Sequence, residues 1–376
     1  MNVGFDGHWA VFNHTSRGNL SRSVISAIAT YKPKNKYIIY GSVASENRHL
    51  TPLLANPSVM MRQPKHGYFK TLWRWGDGFG KDLQRHHVRI YHGLCGVLPF
   101  FKGKSRAHMV VSITDLDARY NAKELGFWKS LKEKMALSHS IKMAERIVVP
   151  SEWAKNLLHE LYNVDFDRID IVPPCVDKGF STPVHDEARQ SLAAHYGLPK
   201  RFVLLMGPLK KSKNLLDMVK AIRRLKDKEL CIVMVGKSTN YYRHSIRPYV
   251  NEYNLHDRVI HVKHLHSADL PNIYQQATAV LCPTQNELYS LSMLEAMSCG
   301  IPVMVNPDSM MATEAGDAVM VTTGSTPEAW AAAIDALVAS PEQQQIFAER
   351  GRNYVAKFTP EATAEALQAC YDKIED

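Results

Sequence analysis

The chain has 376 residues, 45% of them hydrophobic, and a formal net charge of +9 with no biased tract. That length exceeds what one hydrophobic core organises, so two domains of about 150 to 200 residues are expected, with a cleft between them as the natural ligand site. The composition excludes a disordered chain, and apolar runs such as FVLLMG and CIVMVG stop far short of the roughly 20 residues that cross a bilayer.

Short runs rich in Val and Ile alternate with helical patterns from end to end, which is the signature of parallel strands joined by crossover helices. The first predicted strand, residues 2–5, follows Met1 without a basic n-region or an apolar h-region, so no signal peptide is expected and the chain is placed in the cytoplasm. A loop over 7–17 leads to a helix over 20–31, with Gly18 and Asn19 suited to its start and Arg22 adding charge nearby. Further strands are predicted at 37–40, 58–61, 88–91, 109–113, 147–149 and 169–172. The passage VPPCVDKGFSTPVHDE, residues 172–187, carries paired prolines that interrupt helix and strand alike, and the interdomain linker is placed there. Strands follow at 202–206, 230–235, 259–262, 279–282, 302–305 and 318–321. Two helical patterns, 341–357 and 360–374, close the chain and break at Pro360, and the last is expected to dock back on the first domain. The expected domains are therefore residues 1–180 joined by 358–376, and residues 181–357.

The positive charge belongs to the first half: residues 1–190 hold 27 basic and 17 acidic side chains, the remainder 19 and 20. Residues 62–134 hold 15 basic against 6 acidic, interleaved with Trp73, Trp75, Phe79, Phe127 and Trp128. Two readings stand at this point. Basic residues beside exposed aromatics fit an anionic bilayer surface or a polyanionic acceptor, and a solvated basic face with its aromatics in the core fits equally. Six cysteines without a C-x-x-C pair give neither a zinc site nor a disulfide framework, and reduced, mostly buried thiols are expected.

The densest chemical signal is TAVLCPTQNELYSLSMLEAMSCGIPV. A buried strand runs into a loop over 283–291, then a helix over 292–298 ended by Gly300. Ligands of open α/β sheets bind beyond the carboxyl ends of strands, where this loop lies, and free helix amides at Leu291, Ser292 and Met293 suit a phosphate or sugar hydroxyls. Glu287 precedes the helix and Glu295 sits in its first turn, so both carboxylates are expected to face one pocket. Ser292-x-x-Glu295 also reads as a capping box, which by itself accounts for Glu295. It leaves Glu287 and the small residues Ser290 and Ser292 unexplained. A second signal is FVLLMGPLKKSKNLLDMVKAI, where a strand ends at Gly207 and Ser212 is expected to cap a helix beginning at Lys213. Lys210, Lys211 and Lys213 at a helix start oppose its dipole, and a diphosphate would offset that repulsion; a solvated lysine cluster is the plainer reading.

Two glutamates with seven residues between them, followed by Ala-Met, Gly-x-Pro and Val, resemble the signature of the retaining glycosyltransferases of family 4, which have the GT-B fold: two Rossmann-like domains facing a central cleft. The resemblance implies that Glu287 lies by the donor sugar, that the loop backbone of Leu288, Tyr289, Ser290, Leu291 and Ser292 contacts sugar and diphosphate, and that Glu295 binds the ribose hydroxyls. Where the family has Gly-Phe-Gly-Leu-Pro this chain has Leu288 to Ser292. Gly207, Leu209, Lys213 and Asn214 match the family's phosphate-binding Gly-Arg-Leu-x-x-x-Lys-Asn, with Pro208 in place of the arginine and Lys210 or Lys211 as substitutes. Gly18 matches the family's Gly-x-Gly-Arg loop. Thr114 replaces the histidine of its His-Asp-Leu, whereas Asp115 and Leu116 match. His92, at the end of the neighbouring strand, is the candidate compensating group on the acceptor side together with Arg22; a lone histidine is more often structural.

The resemblance implies a metal-independent hexosyltransferase of mannose or glucose type, with no cofactor, a nucleoside diphosphate sugar as donor substrate and a glycan or lipid-linked acceptor. It places residues 1–180 as the acceptor domain and 181–357 as the donor domain. Asp115-Leu116-Asp117 has metal-motif spacing and is read as an extension of the loop, not as a metal site. Membrane-linked or surface-polysaccharide acceptors at the inner face of a membrane fit the basic first half, and no nucleic acid is expected. A sugar-nucleotide epimerase of the same fold and a non-catalytic nucleotide-sugar-binding subunit are the rival readings.

Overall fold

The structure of the chain, a computed structural model, describes residues 1–12, 16–41, 50–62 and 77–375. Trp73 and Trp75 lie outside the described residues. The chain divides into two compact units, Met1–Cys175 with Phe358–Asp376, and Val176–Lys357. The boundary falls inside the proline-rich passage, five residues before the expected one.

Strands of the first unit are β1 (Asn2–Asp6), β2 (Lys36–Tyr40), β3 (Val59–Arg62), β4 (Ile90–Gly93), β5 (His108–Ser112), β6 (Arg146–Val149) and β7 (Ile169–Ile171). They form one parallel sheet in the order β3-β2-β1-β4-β5-β6-β7. Their runs are apolar on both faces because helices cover both, as a parallel sheet requires. Strand β4 starts at Ile90, two residues after the expected position, since His87 at φ +50 keeps the chain turning.

The expected loop over 7–17 contains a helix, Gly7–Phe12, and the next helix, Ser16–Tyr31, begins earlier than its pattern indicated. Gly18 therefore lies inside the first turn, not ahead of it. Glycine at position 7 is a steric requirement: a Cβ there would stand 2.7 Å from the Tyr40 carbonyl oxygen. The last helix, Pro360–Glu375, belongs to this unit. Gln368 accepts from Asn35 Nδ2 at 3.0 Å, Lys373 pairs with Asp170 at 2.7 Å, and Thr363 donates to the Pro173 carbonyl at 2.8 Å.

The second unit carries β8 (Phe202–Met206), β9 (Cys231–Val235), β10 (Val259–Val262), β11 (Ala279–Cys282), β12 (Val303–Val305) and β13 (Met320–Val321), parallel in the order β10-β9-β8-β11-β12-β13. Its core includes Leu215, Met218 and Ile222 from one helix and Trp330 and Ile334 from another. Strand order reverses between β8 and β11, which makes the loops after those two strands the switch point where such sheets bind ligands.

All six cysteines are free, four of them buried. Among the described residues no helix is long and apolar enough to cross a membrane.

Candidate functional site

Three loops meet at the carboxyl end of the second sheet. The first leaves β8 through Gly207 at φ +117, and the neighbouring one leaves β9 through Gly236 at φ +148. These φ values belong to glycine, and the packing demands it too, because a Cβ on Gly236 would fall 2.2 Å from the Gly207 carbonyl oxygen. His261 Nε2 donates to the Gly236 carbonyl at 2.8 Å, and Thr239 Oγ1 donates to that of Leu209.

Lys211–Lys213 forms a single 3-10 turn, and the α-helix begins only at Leu215. This corrects the expectation that Ser212 caps a helix at Lys213. Asn214 takes the left-handed conformation at φ +48, which ends one turn before the next begins, and its Nδ2 donates to the Pro283 carbonyl at 2.7 Å. The loop after β8 is thereby stitched to the loop after β11.

Across that seam the Lys213 ammonium pairs with Glu287 Oε1, and Thr284 Oγ1 donates to Glu287 Oε2 at 3.0 Å. Both charged side chains are only partly buried. The structure thus brings together Glu287 and Lys213, which the sequence placed in two separate motifs. Burial, with the Glu287 charge adding to it, pushes the Cys282 thiol beneath them up to about 11.

The glutamate loop differs from expectation in its helix cap. The helix runs Leu291–Ser298, Ser290 is its N-cap, and Ser290 Oγ accepts from the Met293 amide at 3.4 Å. The Met293 amide is therefore not free. Ser290 and Ser292 hydroxyls stand 3.1 Å apart. No capping box forms, because Glu295 turns inward and accepts from the Tyr274 hydroxyl at 2.7 Å. Glu295 is 8% exposed, and burial pushes its carboxyl up to about 7 although the Tyr274 bond pulls it down. The two glutamates do not face one pocket as equals: Glu287 stands at the surface of the loop and Glu295 lies below it. Leu288 is buried and anchors the loop, while Tyr289, Lys210 and Gly207 are half-buried and Lys211 is exposed.

In the first unit, Asp115 after β5 pairs with Arg17 at 2.7 Å, and the Arg17 guanidinium sits over the Trp9 ring at 5.1 Å. Thr114 is buried, and its hydroxyl has no hydrogen-bond partner among the described residues. Arg22 donates to the Ala10 carbonyl at 2.8 Å and to Asn19 Oδ1 at 2.6 Å, fastening the two N-terminal helices to each other. His92 is a correction. It is fully buried, its ring nitrogens 2.7 Å from the Tyr371 hydroxyl and 2.7 Å from Ser112 Oγ, and burial pulls it down to about 3. It is a neutral core group that ties β4 to the last helix and has no exposed surface.

Sequence reasoning missed Gly236, Thr239, Thr284 and Tyr274. Gly236 was within reach, since CIVMVG ends in a glycine as FVLLMG does. Nothing local marks the others.

Two family models cover most of the chain: "Glycosyltransferase Family 4" matches residues 39–180, and "Glycosyl transferases group 1" matches residues 190–354. Among curated proteins, the D-inositol 3-phosphate glycosyltransferase of Corynebacterium jeikeium is 26% identical over 242 residues, 61% of this chain and 58% of the relative. That of Segniliparus rotundus is 28% identical over 236 residues, 61% of this chain and 52% of the relative. The chain thus spans just over half the length of the curated relatives it matches. Among solved structures, sucrose-phosphate synthase from Thermosynechococcus elongatus superposes with a TM-score of 0.81 at 19% identity, covering 100% of this chain and 99% of that one. Anabaena HepE in complex with UDP and glucose gives 0.76 at 14% identity, covering 99% and 100%. At these identities the likeness is one of fold, and the fold is that of GT-B glycosyltransferases: two Rossmann-like parallel sheets with their helices.

Proposed function

The chain belongs to glycosyltransferase family 4, and from that premise we propose that it transfers a hexose, of glucose or mannose type, from a nucleoside diphosphate sugar to a glycan or lipid-linked acceptor. Residues Val176–Lys357 bind the donor, and the other unit serves the acceptor. The observation that carries this reading is the Lys213–Glu287 pair at the strand-order reversal of the second sheet. A cation fixed by a carboxylate at a switch point is preorganised for an anionic leaving group, which is where electrostatic catalysis acts.

In this reading Lys213, with Lys210 and Lys211 beside it, takes up the charge that develops on the departing diphosphate, so no metal ion is required. Glu287 lies by the sugar, and the backbone of Leu288 to Ser292 meets the sugar hydroxyls and the diphosphate. The transfer retains configuration by a front-face route. The bond from the anomeric carbon to the phosphate oxygen breaks, the acceptor oxygen bonds to the same face, and its proton passes to the departing phosphate oxygen. The product is a glycan or glycoconjugate assembled at the cytoplasmic face of a membrane. HepE, of like fold, has been crystallised with UDP and glucose, so UDP-glucose leads the donor trial here.

Thermal shift with UDP-, GDP- and dTDP-sugars tests the reading. A donor at 100 times its Kd stabilises the fold by about 2.7 kcal/mol. A hydrogen bond to a charged group contributes about 1.5–3 kcal/mol, so Lys213→Ala weakens binding about 10- to 100-fold and leaves about 0.4–1.4 kcal/mol of that stabilisation. Transfer of labelled sugar should fall with it and survive a chelator. No shift with any donor in the unaltered chain, or an undiminished shift in Lys213→Ala, overturns the assignment.

A further inference from the structure

The helix Phe127–Met143 has two apolar faces. Ser130, Leu137, Ser140 and Ile141 are buried in the first unit. Phe127, Trp128, Leu131 and Met135 point outward at 71%, 79%, 40% and 61% exposure. At 3.6 residues per turn these four fall within one arc of about 100°. Lys134 borders the arc on one side and Lys132 on the other, and Lys142 continues it two turns further along. The Phe127 and Trp128 rings stand 5.3 Å apart, edge to face. A second element adds to the patch: Phe100 stacks on His139 of this helix at 4.4 Å, and the next residue, Phe101, is 63% exposed and followed by Lys102 and Lys104.

We propose that this outward face of Phe127–Met143 is a docking surface for an anionic lipid bilayer. Large aromatic side chains left in water are the costly feature, and the lysines say what covers them. Lysine stems lie along an apolar stripe while their ammonium groups reach outward to phosphate headgroups, and tryptophan prefers the boundary between headgroups and acyl chains. A second copy of this chain would bring two lysine-bordered stripes into register and set like charges against one another. A protein groove would have to accept a convex helix edged with cations on both sides. The bilayer satisfies both the rings and the charges. This deepens the proposed function by stating where a lipid-linked acceptor is met, and it rests on that reading only for the acceptor.

The test is sedimentation of the full chain with vesicles of phosphatidylcholine alone or mixed with phosphatidylglycerol, at low and high salt. The expected result is binding to the mixed vesicles only, reversed by salt. Trp128→Ser with Met135→Ser, and separately Lys132→Glu with Lys134→Glu, should each weaken binding by about tenfold or more. All four positions are exposed, so melting temperature and the donor-induced thermal shift should be unchanged, which keeps failure of this proposal distinct from failure of the donor assignment. Absence of binding, equal binding to neutral vesicles, or variants that sediment like the parent chain would each overturn it. So would a dimer in light scattering that Trp128→Ser dissolves while vesicle binding is nil.

Discussion

Replacing Glu295 by glutamine separates what this residue does for the fold from what it does for a ligand. Its carboxyl is buried against Tyr274 and raised from an ordinary 4.5 to about 7. The folded state therefore holds this proton more tightly than the unfolded chain does. The resulting stability is present in full below 4.5 and is lost as pH rises through about 7. At about 1.4 kcal/mol per unit, the loss above neutrality is roughly 3 kcal/mol. Glutamine keeps the shape and still accepts from the Tyr274 hydroxyl, but it has no charge to desolvate. Glu295→Gln should match the parent chain near pH 4.5 and exceed it above neutrality by roughly 3 kcal/mol, about 6–12 °C in melting midpoint. The measurement is the difference between the two melting curves across this range, since other titrating groups cancel in it. A difference that stays flat with pH would show that the carboxylate is solvated and the inward geometry wrong. The same samples with donor added decide the second role: a carboxylate that accepts from ribose hydroxyls gives a weaker donor shift in the more stable variant, whereas a purely structural one leaves that shift intact.

Thr114→Val removes a buried hydroxyl that has no hydrogen-bond partner among the described residues, so the chain should gain about 1 kcal/mol by urea titration. If that hydroxyl meets the substrate, kcat/KM falls about tenfold at the same time, and unchanged turnover would confine Thr114 to a structural place. Gly236→Ala puts a methyl 2.2 Å from the Gly207 carbonyl oxygen at φ +148, which should cost roughly 2–4 kcal/mol in the urea midpoint; a neutral result would mean that the loops after β8 and β9 do not touch.

Strands such as β8 and β9 were legible because each is a short run of mostly Val, Ile, Leu and Met ended by a glycine, and burial on both faces leaves no alternation to misread. The helix Gly7–Phe12 was not legible, since six residues hold too few turns to show a period. Ser290 and Ser292 are both small hydroxyl residues two positions apart, and only the backbone decides which of them caps. His92 illustrates the larger limit. Its position at a strand end reads as a ligand site, yet its partner Tyr371 comes from the last helix, 279 residues later. Tyr274 and Glu295 are likewise 21 residues apart on different elements. Motif spacing reports what lies on one loop, and it is silent about which partner folds against it.

The candidate site is made by ties of that second kind. Gly236 lets the loop after β9 rest on the Gly207 carbonyl, Asn214 binds the loop after β8 to Pro283, and Lys213 reaches Glu287 in the loop after β11. Each tie has a different physical origin: bare backbone contact, the side-chain amide of a left-handed asparagine, and an ion pair. Each also fixes a loop that would otherwise keep several conformations, and together they hold Lys213 in place before any ligand arrives. The pairing has an electrostatic consequence. Glu287 neutralises Lys213, so under the proposed function an arriving diphosphate must compete with that carboxylate for the ammonium group. Under the proposed function, a site built this way holds its cation rigidly while giving up part of its attraction for the anion, which favours stabilising a leaving group as it forms over binding the product tightly after it has left.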